Sequence, residues 1–335
     1  MFLKKYKINT LIGQGSFSSV YSGIDIQSLV PVAIKVFQKN LKGYFKIESE
    51  ILAKVSGKRG FPELLWHGES DNLLYIVMTL LGPCLRSRLQ AKGNCDINIF
   101  KAGIKIVGAI KVLHKENYLH RDLKPENIVL GLKNPEDFYL IDFGLSKKYF
   151  DKKSHFHIPL KTGFVFRGNL IFCSNNVLSG IEPSRRDDLV SLALILLYVS
   201  KGSIPWMYHA TSINDMIGFR SSTTLASLTL NAPHELSEFY KYTLSLGFYQ
   251  EPDYKYIQKL LKPKKNIVRR SEFNFSLKQN KTKRNKKFDL IQSKSKIEVI
   301  DMFDSECPTV VAELPEFSED LVKKVNLLRR IKASI

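Results

Sequence analysis

Two apolar runs of strand length, Val30–Phe37 (VPVAIKVF) and Leu73–Leu80 (LLYIVMTL), mark the first quarter of the chain. Both are rich in β-branched residues, which suit a buried, pleated strand. A helical pattern takes over after Leu81. Ile99, Ile106, Ile110 and Leu113 keep roughly helical spacing through INIFKAGIKIVGAIKVLH, and Leu236–Leu246 and Tyr254–Leu261 also predict helices. Leu189–Val199 is apolar apart from Ser191. It falls well short of the ~20 residues that span a bilayer, so it predicts a buried helix and no transmembrane segment. A β-rich part over about residues 6–80, followed by an α-rich part over about 81–262, predicts an α+β fold in two lobes. No internal repeat interrupts this order.

Composition adds a folded core and a charged tail. Hydrophobic residues make up 44% of the chain and aromatic ones 11%, which excludes disorder throughout. The net charge of +19 invites nucleic acid or acidic partners, but its placement matters more than its size. From Pro263 to Ile297 there are twelve Lys/Arg against two Asp/Glu, and Glu298–Asp320 then carries eight acids and no Lys or Arg. The composition shift at Lys262–Pro263 predicts the end of the globular domain and a partly disordered extension over 263–335. Cys84, Cys95, Cys173 and Cys307 are scattered, with no C-x-x-C pair. They predict neither a disulfide framework nor a zinc site and fit a reducing, intracellular compartment. MFLKKYKINT at the N-terminus has no long apolar stretch, so no secretory signal is expected.

The chemistry is carried by short strings in a fixed order. IGQGSFSSV (Ile12, Gly13, Gln14, Gly15, Ser16, Phe17, Ser18, Ser19 and Val20) is a glycine-rich turn between strands. Gly13 and Gly15 allow backbone amides to approach phosphates, while Ser18 stands where a third glycine is usual. VAIK ends in Lys35, which can reach the α- and β-phosphates of ATP if an acid holds it. Glu48 and Glu50 of IESE are the candidates; either could pair from a helix, they point to different faces, and Glu48 is the expected partner.

HRDLKPEN is the strongest string, with Asp122 and Asn127 on one loop. Asp122 can accept a substrate hydroxyl proton, Asn127 can bind Mg²⁺, and Lys124 can steady the transferring phosphate. Asp142 of IDFG is the second metal ligand; hard carboxylate and amide oxygens suit Mg²⁺. Ile12, Val20, Ala33 and Val129 are placed to sandwich an adenine, with Met78 at the back of the pocket and Thr79–Leu81, including Leu80 and Leu81, as the hinge. Together these predict phosphoryl transfer from ATP with Mg²⁺.

IES, VMTLLGP, DFGLSKKY, HIP, SNN, GIEPSRRDDL and EPDY resemble the casein kinase 1 family of serine/threonine protein kinases, over about residues 6–262. Ser174-Asn175-Asn176 is similar to that family's S-I-N, where most protein kinases have A-P-E. The resemblance implies a bilobal kinase fold, a monomer, and ATP- and Mg²⁺-dependent phosphorylation of Ser/Thr in acidic or already phosphorylated protein substrates. It implies no need for activation-loop phosphorylation, and roles in DNA repair, the cell cycle and trafficking. Asp188 would brace the backbone of the catalytic loop. The departures fall in FVFRGNLIF (Phe164–Phe172). Asn169 replaces a threonine that normally touches the catalytic Asp and Lys. Ile171 stands in place of an arginine that binds substrate phosphate, and Phe164 in place of a lysine. Lys161, Arg167, and Arg220 from a later loop are the candidate substitutes.

The tail leaves further options. KTKRNKK (Lys281–Lys287) is a basic cluster of the kind read by a nuclear import receptor or drawn to nucleic acid, favouring the nucleus over the cytoplasm. The acidic stretch beside it could act as an autoinhibitory strap. Leu321, Val325 and Leu328 share one face of a possible short helix. Two alternatives to an enzyme stand: a catalytically weak kinase-fold scaffold, and a nucleic-acid binder driven by the tail.

Overall fold

The computed structural model describes residues 5–91, 97–208 and 212–262. They belong to the first of two compact units, Met1–Lys278. The tail from 263 onward, with the basic cluster, the acidic stretch and the C-terminal apolar face, lies outside the described residues.

Strands β1 (Tyr6–Gln14), β2 (Ser19–Asp25), β3 (Pro31–Gln38), β4 (Leu64–Ser70) and β5 (Leu73–Thr79) form one antiparallel sheet in the order β1-β2-β3-β5-β4. Helix α1 (Lys42–Val55) lies between β3 and β4 in the chain. The two apolar runs are β3 and β5, paired from Val32 opposite Thr79 to Gln38 opposite Leu73. Both faces of these strands are covered, which is why they read as unbroken apolar runs, whereas edge strand β1 is mostly exposed. Side chains alternate between the faces. Tyr6, Val32, Ile34, Val36, Tyr75 and Val77 form a small cluster on one side. Ala33, Phe37, Leu74, Ile76 and Met78 join Ile51, Leu52 and Val55 of α1 in the main core on the other. Lys35 shares the face of Ala33 and Phe37, so its side chain points at α1.

The helical part comprises α2 (Leu85–Gln90), α3 (Ile99–Lys115), α4 (Asn175–Leu178), α5 (Arg185–Lys201), α6 (Ile213–Ser222), α7 (Leu225–Thr229), α8 (His234–Ser245) and α9 (Tyr254–Leu260). Leu189–Tyr198 of α5 is buried all round, packed on α3 and α8, as its apolar run predicts. Asp187 in its first turn accepts from Ser184 N at 2.7 Å and from Ser174 Oγ at 2.5 Å. That contact ties Ser174-Asn175-Asn176 to the start of α5.

Between α3 and α4 the chain makes six short strands: β6 (Tyr118–Leu119), β7 (Ile128–Leu130), β8 (Phe138–Leu140), β9 (Lys147–Lys148), β10 (Phe150–Asp151) and β11 (Phe156–His157). They pair as β6-β9, β7-β8 and β10-β11. At two or three residues each they are too short to show an alternation in the sequence. No helix among the described residues is long and apolar enough to cross a membrane.

Candidate active site

Lys35 Nζ sits 2.7 Å from both carboxylate oxygens of Glu48 and 2.8 Å from Asp142 Oδ1. Glu50 lies about 200° round the helix from Glu48 and turns away, as 3.6 residues per turn requires. Burial opposes the Lys35 ammonium, but Asp142 and Glu48 outweigh it and hold its pKa above the ordinary lysine value. Burial also opposes ionisation of Asp142, yet Lys35, with Lys124 beyond it, holds that carboxyl down at about 2. Burial pushes Glu48 up to about 7; Lys35 opposes the rise and Asp142 adds to it.

Asp122 is only 5% exposed. Its Oδ2 accepts from Lys124 Nζ at 2.5 Å and Asn127 Nδ2 at 3.1 Å, and its backbone oxygen accepts from Asn127 Nδ2 at 2.8 Å. Oδ1 is buried with no hydrogen-bond partner, which leaves it as the acceptor for an incoming hydroxyl. Asn127 commits its amide nitrogen to Asp122, and its amide oxygen has the chemistry of a metal ligand. Asp142 keeps its second oxygen outside the Lys35 contact. These hard oxygens fit Mg²⁺.

Asp188 on α5 accepts from His120 N at 2.8 Å, Arg121 N at 2.9 Å and His114 Nε2 at 2.8 Å, bracing the loop that holds Asp122. His114 in turn contacts Tyr254 Oη at 2.6 Å. His120 is buried, which keeps its pKa down and its ring neutral. Its Nε2 donates to Ile141 O at 3.1 Å, and Nδ1 accepts from Asp122 N at 3.4 Å. Its ring lies 5.4 Å from that of Phe143. Arg121 and Asp142 hold positive φ angles of 69° and 66°, each a strain of roughly 1–3 kcal/mol concentrated at the site.

Around the nucleotide position, Ala33, Met78 and Val129 are buried, Val20, Leu80 and Leu81 are half-buried, and Ile12 is exposed. The glycine-rich turn joins β1 to β2, with Gly13 opposite Val20 and Gln14 opposite Ser19. Gly15 N donates to Ser18 O at 2.9 Å, and Ser18 and Ser19 are buried. A Cβ on Gly13 or Gly15 would meet nothing closer than 3.8 Å, so protein packing does not demand glycine there; a close approach of phosphate would. Phe17 at the tip stacks on Tyr44 of α1, with ring centroids 4.1 Å apart and planes 16° from parallel. The sequence offered no signal for that partner.

The acceptor-facing segment differs from expectation in two places. Asn169 Oδ1 accepts from Ile171 N at 2.9 Å and Phe172 N at 3.0 Å. This side chain therefore closes its own turn. Arg220 is the clearer correction: it lies on α6, not in a loop, and is 4% exposed. Its guanidinium packs 4.5 Å over Trp206 and 3.8 Å from Cys173 Sγ, so it is part of the floor and not a surface charge. Trp206 Nε1 donates to Ile171 O at 2.9 Å above that floor. Lys161 is exposed and Arg167 half-buried. Phe164 lies under Arg121, 5.2 Å from guanidinium to ring centroid. Gly168, at φ 115°, passes so close to the catalytic loop that a Cβ would lie 2.8 Å from Arg121 O.

The family model for the protein kinase domain matches residues 6–266, a span that begins with β1 and takes in every residue of the site. With that match over most of its length, and a lysine held by a helix acid and the IDFG aspartate facing a braced catalytic loop, the chain belongs to the protein kinase family.

Proposed function

We propose that the chain is a serine/threonine protein kinase with casein-kinase-1-like organisation, transferring the γ-phosphate of ATP to Ser/Thr hydroxyls of acidic protein substrates. The observation that carries this reading is the Lys35–Glu48–Asp142 contact standing together with a buried, unpartnered Asp122 Oδ1.

Lys35 neutralises charge on the α- and β-phosphates, and Glu48 fixes where that ammonium sits. Asp142 and Asn127 would hold Mg²⁺, which would supply positive charge against the phosphate oxygens. Asp122 Oδ1 orients the acceptor hydroxyl and takes its proton as the oxygen bonds to phosphorus and ADP leaves. Lys124, already on Asp122 Oδ2, meets the charge of the moving phosphoryl group. Positioned proton transfer of this kind contributes roughly 10²–10⁴-fold.

Exposed Lys161 and half-buried Arg167 support a preference for acidic acceptors. Phe164, half-buried Ile171 and buried Arg220 argue against dependence on a phosphate already present in the substrate. Lys281–Lys287 supports a nuclear site of action, which a fluorescent fusion with that cluster neutralised would test.

The central test is radiolabelled phosphate transfer from ATP to an acidic peptide in Ser and Tyr versions, by wild type and Asp122→Asn. The expected result is incorporation into the Ser peptide alone, lost by about 10²–10⁴-fold in the variant. Equal incorporation by the two proteins, or a Tyr preference, would overturn the reading.

A further inference from the structure

We infer that Tyr118 and Glu50 form a positioning latch that fastens α1, and with it Glu48, to the strand leading into the catalytic loop. The inference rests on the kinase geometry above and not on the proposed substrate class.

Tyr118 Oη donates to Glu50 Oε1 at 2.6 Å. Lys54 Nζ reaches the same carboxylate oxygen at 3.0 Å, lies 3.4 Å from the phenol oxygen, and sits 5.1 Å over the Tyr118 ring. One turn beyond the helix, Lys58 Nζ contacts Glu116 Oε1 at 2.6 Å. The end of α1 and the turn after it are thus fastened to residues 116–118. A Glu50–Lys54 pair alone would be an ordinary i,i+4 surface contact of little consequence. The phenol is what makes it a link between lobes. An O–H donor to a carboxylate at this distance is a strong hydrogen bond. The hydrogen bond from Tyr118, followed by that from Lys54, keeps the Glu50 carboxyl below its usual range.

Tyr118 is a fixed anchor. It is 3% exposed, its backbone pairs with Lys148 in β6-β9, and Leu119 alone separates it from His120, whose amide is held by Asp188. Helix α1 has more need of an anchor. Lys35 is shared between Glu48 and Asp142, so the ammonium keeps a partner even if Glu48 withdraws. Burial also disfavours the ionised Glu48 carboxylate in its inward position. The lysine contact therefore does not by itself decide where the helix sits; core packing of Ile51, Leu52 and Val55 holds the helix, and the Tyr118–Glu50 contact adds the polar tie to the catalytic-loop side. That tie joins the half of the site that holds ATP to the half that holds Asp122.

The test compares Tyr118→Phe, Glu50→Ala, Glu50→Gln and the Tyr118→Phe/Glu50→Ala double variant of the full chain. Melting temperature, kcat and KM for ATP, and amide hydrogen exchange over residues 42–55 are read for each. Tyr118→Phe and Glu50→Ala should each lower kcat by roughly tenfold, the loss expected from one charged hydrogen bond. The double variant should be no worse than either single one. Glu50→Gln, which keeps an acceptor oxygen, should recover most of the rate. Exchange over 42–55 should rise while the melting temperature moves little. An unchanged kcat in both Tyr118→Phe and Glu50→Ala would overturn the latch. So would rates that fall in step with melting temperature while exchange rises evenly across the domain. Exchange is measured without any acceptor, so failure of the substrate reading leaves this test standing.

Discussion

The two halves of the cleft are built to different standards of closure. On the nucleotide side Lys35 meets Glu48 and Asp142, and one oxygen of Asp122 meets Lys124 and Asn127, all within about 3 Å. Those residues sit on elements braced from behind by α1 and α5. On the acceptor side, Asn169 closes its own turn, Arg220 is sunk beneath Trp206, and Phe164 lies under Arg121. The first half must neutralise a fixed, highly charged molecule, which leaves little latitude in the groups used. The second must meet a polypeptide and can exchange ionic for apolar contacts without touching the transfer step. If this comparison holds, damage to the first half should be large and indifferent to acceptor, and changes in the second small and acceptor-dependent.

The largest effect should follow Lys35→Met. Removing the ammonium leaves two acids facing each other beside the phosphate position, and it deletes a preorganised cation worth roughly 10²–10³-fold in rate. Steady-state kinetics on two unrelated acceptor peptides should show the same proportional loss for both. A loss confined to one peptide would break the division between the halves.

A pH profile should give a smaller effect on the same side. Glu48 is pushed up to about 7 by burial, against an ordinary value of 4.5. Only the ionised form holds Lys35, so kcat/KM for ATP should fall as pH drops through about 7, and Glu48→Gln should remove that limb. Stability runs the other way. Between about 4.5 and 7 the folded state holds a proton on Glu48 that the unfolded chain has released, so this group's contribution declines as pH rises across that window. Thermal melts of wild type and Glu48→Gln over that range should converge at the acid end. A wild-type profile flat from pH 6 to 8 would remove Glu48 from the account of how Lys35 is held.

Much of the nucleotide half was legible in the chain because its chemistry is written in short strings. Glycine spacing, VAIK, HRDLKPEN and IDFG each carry their residue types at fixed separations, and two of the longer β-strands announce themselves as apolar runs. Helix geometry told only that Glu48 and Glu50 take different faces; the contact with Lys35 is what singles out Glu48. What stayed hidden depends on contacts across long separations. His114 meets Tyr254 140 residues away, and Tyr118 meets Glu50 68 residues away. A periodicity tells which face a residue takes and not which residue comes to lie opposite. Arg220 failed for a related reason: a charged side chain reads as exposed until an aromatic ring such as Trp206 is seen to cover it.

Phe164 offers the smallest effect and the sharpest view of the acceptor half. Its ring lies 5.2 Å from the Arg121 guanidinium, whose pKa burial pulls below the ordinary arginine value and whose Nε is buried with no hydrogen-bond partner. Glu182 and Asp188 offset part of the burial, and the ring covers a further face of the cation. A cation–π contact of this kind is worth about 0.5–2 kcal/mol. Phe164→Ala should cost stability of that order, a fall of a few degrees in melting temperature for a domain this size. Transfer to an unmodified acidic peptide should change by less than about threefold, since the groups that carry the transfer are untouched. The informative arm is a peptide bearing a phosphoserine near the acceptor. Opening Arg121 to it should raise kcat/KM several-fold relative to wild type, through a charge-assisted contact that the ring now blocks. If wild type already prefers the phosphorylated peptide more than tenfold, the ring is no shield, and the acceptor half reads phosphate by another route.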